Sequence, residues 1–443
     1  MAVAPRSTRK IEVNHRRLLA LALPMTLSHV TTPLLGLVDA TVIGRLGSAH
    51  LLGAVALGAV IFDFLFWSFG SLRMATAGLT AQATGAGDRR ETDRTLARAL
   101  SIAAAVGLGI VLLQWPIWQI AHRLAGASDA VDDALFTYFS IRIWAAPFTL
   151  ANYAILGSTL GRGRTDLGLL LQVAINLANI VLTIILVAAF DLGVAGAAIG
   201  TAVAEALGVA LGMVVLRRLG SHPFRVDFAE VLHRQAMVRM LAVNRDIMVR
   251  TMVLLAAFGI FTALGARAGD VTLAANAVLY NMFLIGGYFL DGFATAAETL
   301  CGQSLGARNE TAFRRSVRLS VFWSLGFGLA VTAAFLVGGE WFIDFVSTNP
   351  EVRVQAREYL VFAALTPLLG ATAFAYDGIF IGATWTVAMR NLMLVAFAAF
   401  GVTLLLGQAL GNTGLWIAFL VFLGTRGLGQ AALCPRLTRN AFA

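Results

Sequence analysis

Charge is scarce in this chain. Asp, Glu, Lys and Arg together make up 13% of its 443 residues, about half of the ~25% usual in a soluble domain. Scarcity of charge also excludes disorder, because disordered segments are charged and poor in apolar residues. Here 58% of residues are hydrophobic, and the mean hydropathy is +0.80. Cysteine is nearly missing. Cys301 and Cys434 are the only two, so a disulfide scaffold is excluded. No Walker A signature occurs, so ATP does not drive this protein directly. No His-x-x-x-His pair or cysteine cluster suggests a bound metal. An enzyme is therefore not expected, and no resident cofactor. The net charge is +9, from 33 Lys and Arg against 24 Asp and Glu. A nucleic-acid binder would gather such an excess on one soluble face. These bases lie in short segments between apolar runs, so no nucleic-acid partner is expected and the lipid bilayer is.

Long apolar runs are what the sequence does have. A membrane-spanning helix needs roughly 20 apolar residues. Twelve such stretches are predicted, at 17–45, 52–80, 95–118, 134–160, 167–189, 193–216, 237–267, 272–304, 315–338, 354–382, 387–408 and 413–433. The fold class expected is an all-α polytopic membrane protein. With the N-terminus inside, the inner segments hold 23 Lys and Arg and the outer loops five: Arg45, Arg123, Arg267, Arg353 and Arg357. Basic residues favour the cytoplasmic side, so both termini are expected in the cytoplasm. The first apolar run is too long for a signal h-region and reads as a retained helix.

The two halves repeat each other. Arg45-Leu-Gly47 matches Arg267-Ala-Gly269, and Gln82-Ala-Thr-Gly85 matches Gln303-Ser-Leu-Gly306. Pro147 matches Pro367, and Gly193 matches Gly414, all at offsets of 220 to 222 residues. Six helices return the chain to the same side, so the repeat is parallel. The expected organisation is an N-terminal lobe at 1–216, a basic cytoplasmic linker at 217–236 and a C-terminal lobe at 237–443. Duplicated membrane lobes usually hold a substrate path between them; a duplication kept only for packing is the alternative.

Ionisable groups at membrane depth are expensive and mark function by default. Asp39 has Leu35, Gly36, Val42 and Ile43 as its helical neighbours. Apolar surroundings disfavour a charged carboxyl, which makes Asp39 a candidate proton carrier; a satisfied contact between helices is the alternative. On the fifth predicted helix, Gln172, Asn176, Asn179 and Thr183 fall at i, i+4, i+7 and i+11, one narrow polar stripe. Such a stripe either meets a facing carboxyl, lines a wet cavity or glues helices together. In the second half, Asp291 and Glu298 share a helix face, and Asp377 stands beside Tyr376. These four form a possible cation or substrate site. The acids otherwise pair with arginines such as Arg250 and Arg426, or face a wet vestibule. Glu205 and Asp63 are weaker candidates. Arg245-Asp246 reads as an interfacial pair. Pro24 and Pro33 each remove a backbone donor from the first helix, so a bend is expected there, static or moving.

Several stretches together resemble the multidrug and toxic compound extrusion (MATE) family, and within it the DinF (DNA-damage-inducible protein F) branch. They are Leu21-Ala-Leu-Pro24, Pro33-Leu-Leu-Gly-Leu-Val-Asp39, Leu72-Arg-Met74, Gly78-Leu-Thr-Ala-Gln82, Asn244-Arg-Asp-Ile-Met248, Leu290-Asp-Gly-Phe293 and Asp377-Gly-Ile-Phe-Ile-Gly-Ala-Thr384. The resemblance implies twelve helices in two pseudo-symmetric six-helix lobes forming a V. It implies cation-coupled export of lipophilic, often cationic compounds. Within it Asp39 looks like the acid that takes up the coupling proton, Pro24 like the bend of that helix, and Asn179 like an amide partner of the acid. Asp377 falls where some relatives have a second-lobe acid linked to a cation site. Thr183 is a departure, since many relatives carry a second acid there.

The function expected is a secondary antiporter of the cell's inner (plasma) membrane, expected as a monomer. It would export small amphipathic or cationic substrates by alternating access. The proton is the expected coupling ion, because sodium needs several converging oxygens; the second-half acids leave sodium as the alternative. A lipid-precursor flippase of a related fold is one rival, and a non-transporting receptor or assembly factor another.

Overall fold

Inside a bilayer no water is present to satisfy backbone N–H and C=O groups, so each spanning segment must satisfy its own as a helix. The computed structural model follows that rule. It describes residues 11–45, 48–126 and 128–443; the side chains of residues 30, 32–35, 37 and 39 lie outside the described set. The helices are α1 (His15–Gly44), α2 (Ala49–Ala86), α3 (Arg89–Leu112, continued by Gln114–Ala125), α4 (Asp129–Gly161), α5 (Thr165–Ala189) and α6 (Gly193–Arg218). The second series is α7 (Arg234–Arg267), α8 (Asp270–Gly306), α9 (Glu310–Val346), α10 (Pro350–Gly382), α11 (Thr386–Leu406) and α12 (Asn412–Phe442). Among the described residues there is no strand. Among the described residues, eleven of these rods, α2 to α12, are long and apolar enough to cross a membrane. The 30-residue α1 makes twelve.

Most rods outrun the predicted apolar stretches. The ninth, predicted at 315–338, runs over Glu310–Val346. Apolar runs report only the greasy middle of a helix, whereas its ends are polar and set by caps. Asn309 accepts from the Ala312 N–H at 3.0 Å to start α9, and Asp88 accepts from the Glu91 N–H at 2.9 Å to start α3.

The chain forms two compact units, one of residues 27–84 and 88–244, the other of residues 1–26, 85–87 and 245–443, of which residues 11 onward are described. The first unit is built around Phe62, Phe66, Tyr138, Phe139 and Leu150. The second has a core of Phe261, Phe283, Trp416, Phe419 and Phe422. In the second unit the start of α1 also packs, through Leu18, Leu21 and Ala22, on Phe293, Ala296 and Leu300 of α8. The backbone of α1 stays helical through Pro24.

The sequence repeat is visible as repeated contacts inside each unit. A Cβ on Gly157 would lie 2.4 Å from the Arg73 carbonyl oxygen, and one on Gly378 would lie 2.0 Å from that of Ala294. Gly161 meets Ala77 in the same way at 2.5 Å, and Gly382 meets Glu298 at 2.2 Å. In each case the partner pair lies 221 positions on. Gly107 against Pro147 and Gly328 against Pro367 repeat a third contact. Glycine is required at these places because helix backbones touch there.

The segment between α6 and α7 is docked rather than loose. Glu230 takes Arg90 at 2.6 Å and Arg94 at 2.9 Å. Buried Arg98 donates to the Val231 carbonyl at 3.2 Å and to that of Glu230 at 3.1 Å. Arg162 bridges Ser221 and Asp93. The hydrogen bond from Arg94, with the charge of Arg90, holds the Glu230 carboxyl below the usual glutamate range. A depressed value means the contact is complete above that range and is lost as pH falls through the folded value. We expect Glu230→Gln to raise amide hydrogen exchange over residues 221–233 at neutral pH. Wild type should reach that state only on acidification below the ordinary glutamate range.

Candidate functional site

In the first unit the polar stripe of α5 forms a hydrogen-bonded track in two segments. Gln172 donates to Asn176 Oδ1 at 3.1 Å, and Asn176 donates to Thr31 Oγ1 on α1 at 3.2 Å. Thr183 donates to Asn179 Oδ1 at 3.4 Å, and Asn179 donates to Thr201 Oγ1 on α6 at 2.9 Å. Asn176, Asn179 and Thr183 are buried. The helix leaves regular α geometry just past Thr183, in a π turn at Ile185–Ala189, a feature that recurs near functional sites. The track thus ties α5 to α6 and to α1, the helix that carries Asp39. The side chain of Asp39, like that of Pro33, lies outside the described residues, so its own contacts are not part of this geometry.

A second polar group occupies the same unit. Glu205 of α6 accepts from Asn152 Nδ2 of α4 at 2.6 Å and from Thr149. Arg142, also on α4, attracts both Glu205 and Asp63 of α2. Its guanidinium lies 5.3 Å from the centre of the Phe62 ring and 6.0 Å from that of Tyr138. Among the described residues, Arg142 makes no ion pair, and its buried Nε and Nη1 have no hydrogen-bond partner. Tyr153 and Arg73 share this field.

The second unit resolves its acids differently. Asp377 on α10 is bonded by both Arg250 of α7 and Arg426 of α12, and takes Gln430 Nε2 at 2.8 Å. All four side chains are buried. Pairing with arginines, one of three arrangements open from sequence, is therefore the one realised for Asp377. Its carboxylate does not stand open to a cation. Arg426 also lies 5.7 Å from the Phe374 ring centre. Asp291 and Tyr376 are half-buried and Glu298 is buried. Among the described residues, no three His, Cys, Asp or Glu side chains converge as metal ligands would. Asp246 is buried under Arg245 at 3.0 Å and Arg390 at 2.7 Å.

Sequence reasoning weighed acids and passed over Arg142, Arg73, Asn152 and Tyr153. A signal existed. When loop bases are set aside, Arg73, Arg142, Arg245, Arg250 and Arg426 remain within helices, and such charges need partners.

The pairing at Asp377 makes a prediction. One carboxylate compensates two buried guanidiniums, so removing it strands both. Asp377→Asn should cost about 3–5 kcal/mol, the usual result of leaving a buried charge uncompensated. Arg426→Met leaves a one-to-one pair and should cost less. Thermal unfolding of the purified variants checks the order.

Comparison with known proteins gives consistent likenesses. A family model described as MatE matches residues 24–185 and 247–407. DNA damage-inducible protein F of Escherichia coli is 40% identical over 421 residues, covering 95% of this chain and 92% of that protein. Multidrug resistance protein PmpM of Pseudomonas aeruginosa is 25% identical, covering 98% of this chain and 93% of that one. A solved structure of a multidrug resistance MATE family transporter of the MOP superfamily, in an outward-facing conformation, superposes with a TM-score of 0.82 at 18% identity over 96% of each chain. At that identity the likeness is one of fold.

Proposed function

The chain belongs to the MATE family of membrane transporters, and on that premise we propose that it is a proton-coupled antiporter exporting lipophilic, often cationic small molecules. It acts as a carrier, not as an enzyme. It works as a monomer in the inner membrane with both termini in the cytoplasm. Asp39 takes up the coupling proton. The observation that carries this reading is the polar stripe of α5, whose Gln172–Asn176 segment reaches the Asp39-bearing helix through Thr31 and whose Asn179–Thr183 segment joins α6 through Thr201. Amides and hydroxyls can donate to a carboxylate and accept from a carboxylic acid, so a wall of them tolerates both states of an acid. Arginines would hold it charged. Export is supported by the likeness to a relative named as a multidrug resistance protein.

Sodium coupling fits less well. A sodium site needs several converging oxygens, and Asp377, the acid that would anchor one in the second unit, is already held by Arg250 and Arg426. A bound cation would have to displace two guanidiniums. Proton entry and substrate binding then favour opposite lobe arrangements, which is alternating access.

The test uses proteoliposomes loaded with a fluorescent cationic dye, with a pH gradient and a sodium gradient imposed one at a time. Efflux driven by the pH gradient alone is expected. Efflux driven by sodium alone would overturn proton coupling. Asp39→Asn should insert normally and lose gradient-driven efflux, because the amide is similar in shape and carries no exchangeable charge. Wild-type efflux from that variant would remove Asp39 from the mechanism.

A further inference from the structure

Glu205 and Asp377 are both acids within helices, and the two units treat them in opposite ways. Asp377 is clamped by two guanidiniums. Glu205 is held by neutral donors: the Asn152 amide at 2.6 Å and the Thr149 hydroxyl. Among the described residues, no cation lies within ion-pair distance of it. Neutral donors allow a carboxyl to gain and lose a proton without breaking a salt bridge. A half-buried carboxylate at membrane depth still needs a counter-charge when it ionises, and Arg142 is a cation whose charge acts on it. Arg142 already attracts Glu205, rests against Phe62 and Tyr138, and has two buried nitrogens without partners. A ring face is a weaker partner for a guanidinium than a carboxylate is.

Position adds a second argument. Thr201 precedes Glu205 by one turn on α6, and Thr201 is where the α5 track ends, through Asn179. A Cβ on Gly208, less than one turn past Glu205, would lie 3.0 Å from Asn152 Nδ2 and 2.6 Å from the Ile175 side chain. The carboxyl therefore sits where α4, α5 and α6 meet, next to the polar track.

We propose that Glu205 is a second proton-carrying carboxyl of this unit, and that Arg142 is the positioning residue that moves onto it when its proton leaves to water. On reprotonation Arg142 returns to the aromatic rings. The groups facing this switch are Asp63 from α2, which shares Arg142; Arg73, also on α2; and Tyr153, Asn152 and Thr149 from α4. Ionised Asp63 competes with Glu205 for the guanidinium, so the exposed acid on α2 tunes the inner one. This inference rests on the antiporter reading above and adds a residue to it.

Two experiments on the full-length protein test it. In the first, proteoliposomes report dye movement and internal pH together, giving protons moved per dye exported. Exchange of labelled for unlabelled dye, which needs no net proton movement, serves as the control for folding. Glu205→Gln should keep exchange and lose about one proton per dye, the share of a single carboxyl. Arg142→Gln should shift the pH profile of efflux, and should shift it no further when combined with Glu205→Gln. In the second, wild type is treated with dicyclohexylcarbodiimide, which modifies protonated carboxyls in apolar surroundings, and mapped by mass spectrometry. Labelling of Glu205 that falls as pH rises is expected. An unchanged proton count in Glu205→Gln, or no labelling of Glu205 at any pH, overturns the proposal while leaving antiport by Asp39 intact. A wild type that moves no protons at all overturns both.

Discussion

A polar group buried at membrane depth is costly until it finds a partner within the protein, and much of the architecture follows from which partners these groups take. Among the described residues, backbone groups find theirs inside the twelve long helices. Side chains choose between charged and neutral partners, and the choice fixes what they can do. Asp377 is compensated by Arg250 and Arg426, and so braces α7, α10 and α12. Asn179, Thr183 and Thr201 join only through neutral hydrogen bonds, which can reverse direction when an amide or hydroxyl turns. A salt bridge stores structure, whereas a neutral track leaves protonation free to change.

The internal repeat duplicates the scaffold without duplicating the chemistry. Gly157 and Gly378 make the same backbone contact in their own units, as do Gly161 and Gly382. Even the left-handed turn residues correspond. Gly163 has φ 78° and Thr384, 221 positions on, has φ 55°. A β-branched residue tolerates that region poorly, so the fold demands the conformation from whatever residue is present. The same register makes Arg426 on α12 the counterpart of Glu205 on α6. Equivalent positions thus carry charges of opposite sign, and each unit builds a different partner set around its own.

Much of the fold was legible because its determinants are local and periodic. Apolar runs mark helices, and Gly193 with Gly414 or Pro147 with Pro367 marks the repeat. Helix ends were less legible, because caps such as Asn309 act through single hydrogen bonds that leave little trace in hydropathy. The α5 stripe was readable from spacing alone, since its four polar residues share one face of a helix that is otherwise apolar. The pairing of Asp377 was not, because its partners lie 127 and 49 residues away and three arrangements suited the same letters. Arg142 was hidden for another reason. A lone arginine in a helix reads as an oddity until Glu205 and Asp63 are seen to share it.

The sign difference between the two units has a further physical consequence. A group that cycles its charge inside a membrane needs a partner that can be taken up and released at little cost. Arg142 against Phe62 and Tyr138 is such a partner, because cation–π contact recovers part of the interaction when the carboxylate is neutral. Arg426 lies near Phe374 as well, but it is already committed to Asp377 and shares that carboxylate with Arg250. Releasing it would strand a buried charge, at a cost of several kcal/mol. Charge cycling is therefore cheap in the first unit and expensive in the second. On the antiporter reading, that asymmetry is the physical reason for proton traffic to run through the unit that carries Asp39 and Glu205.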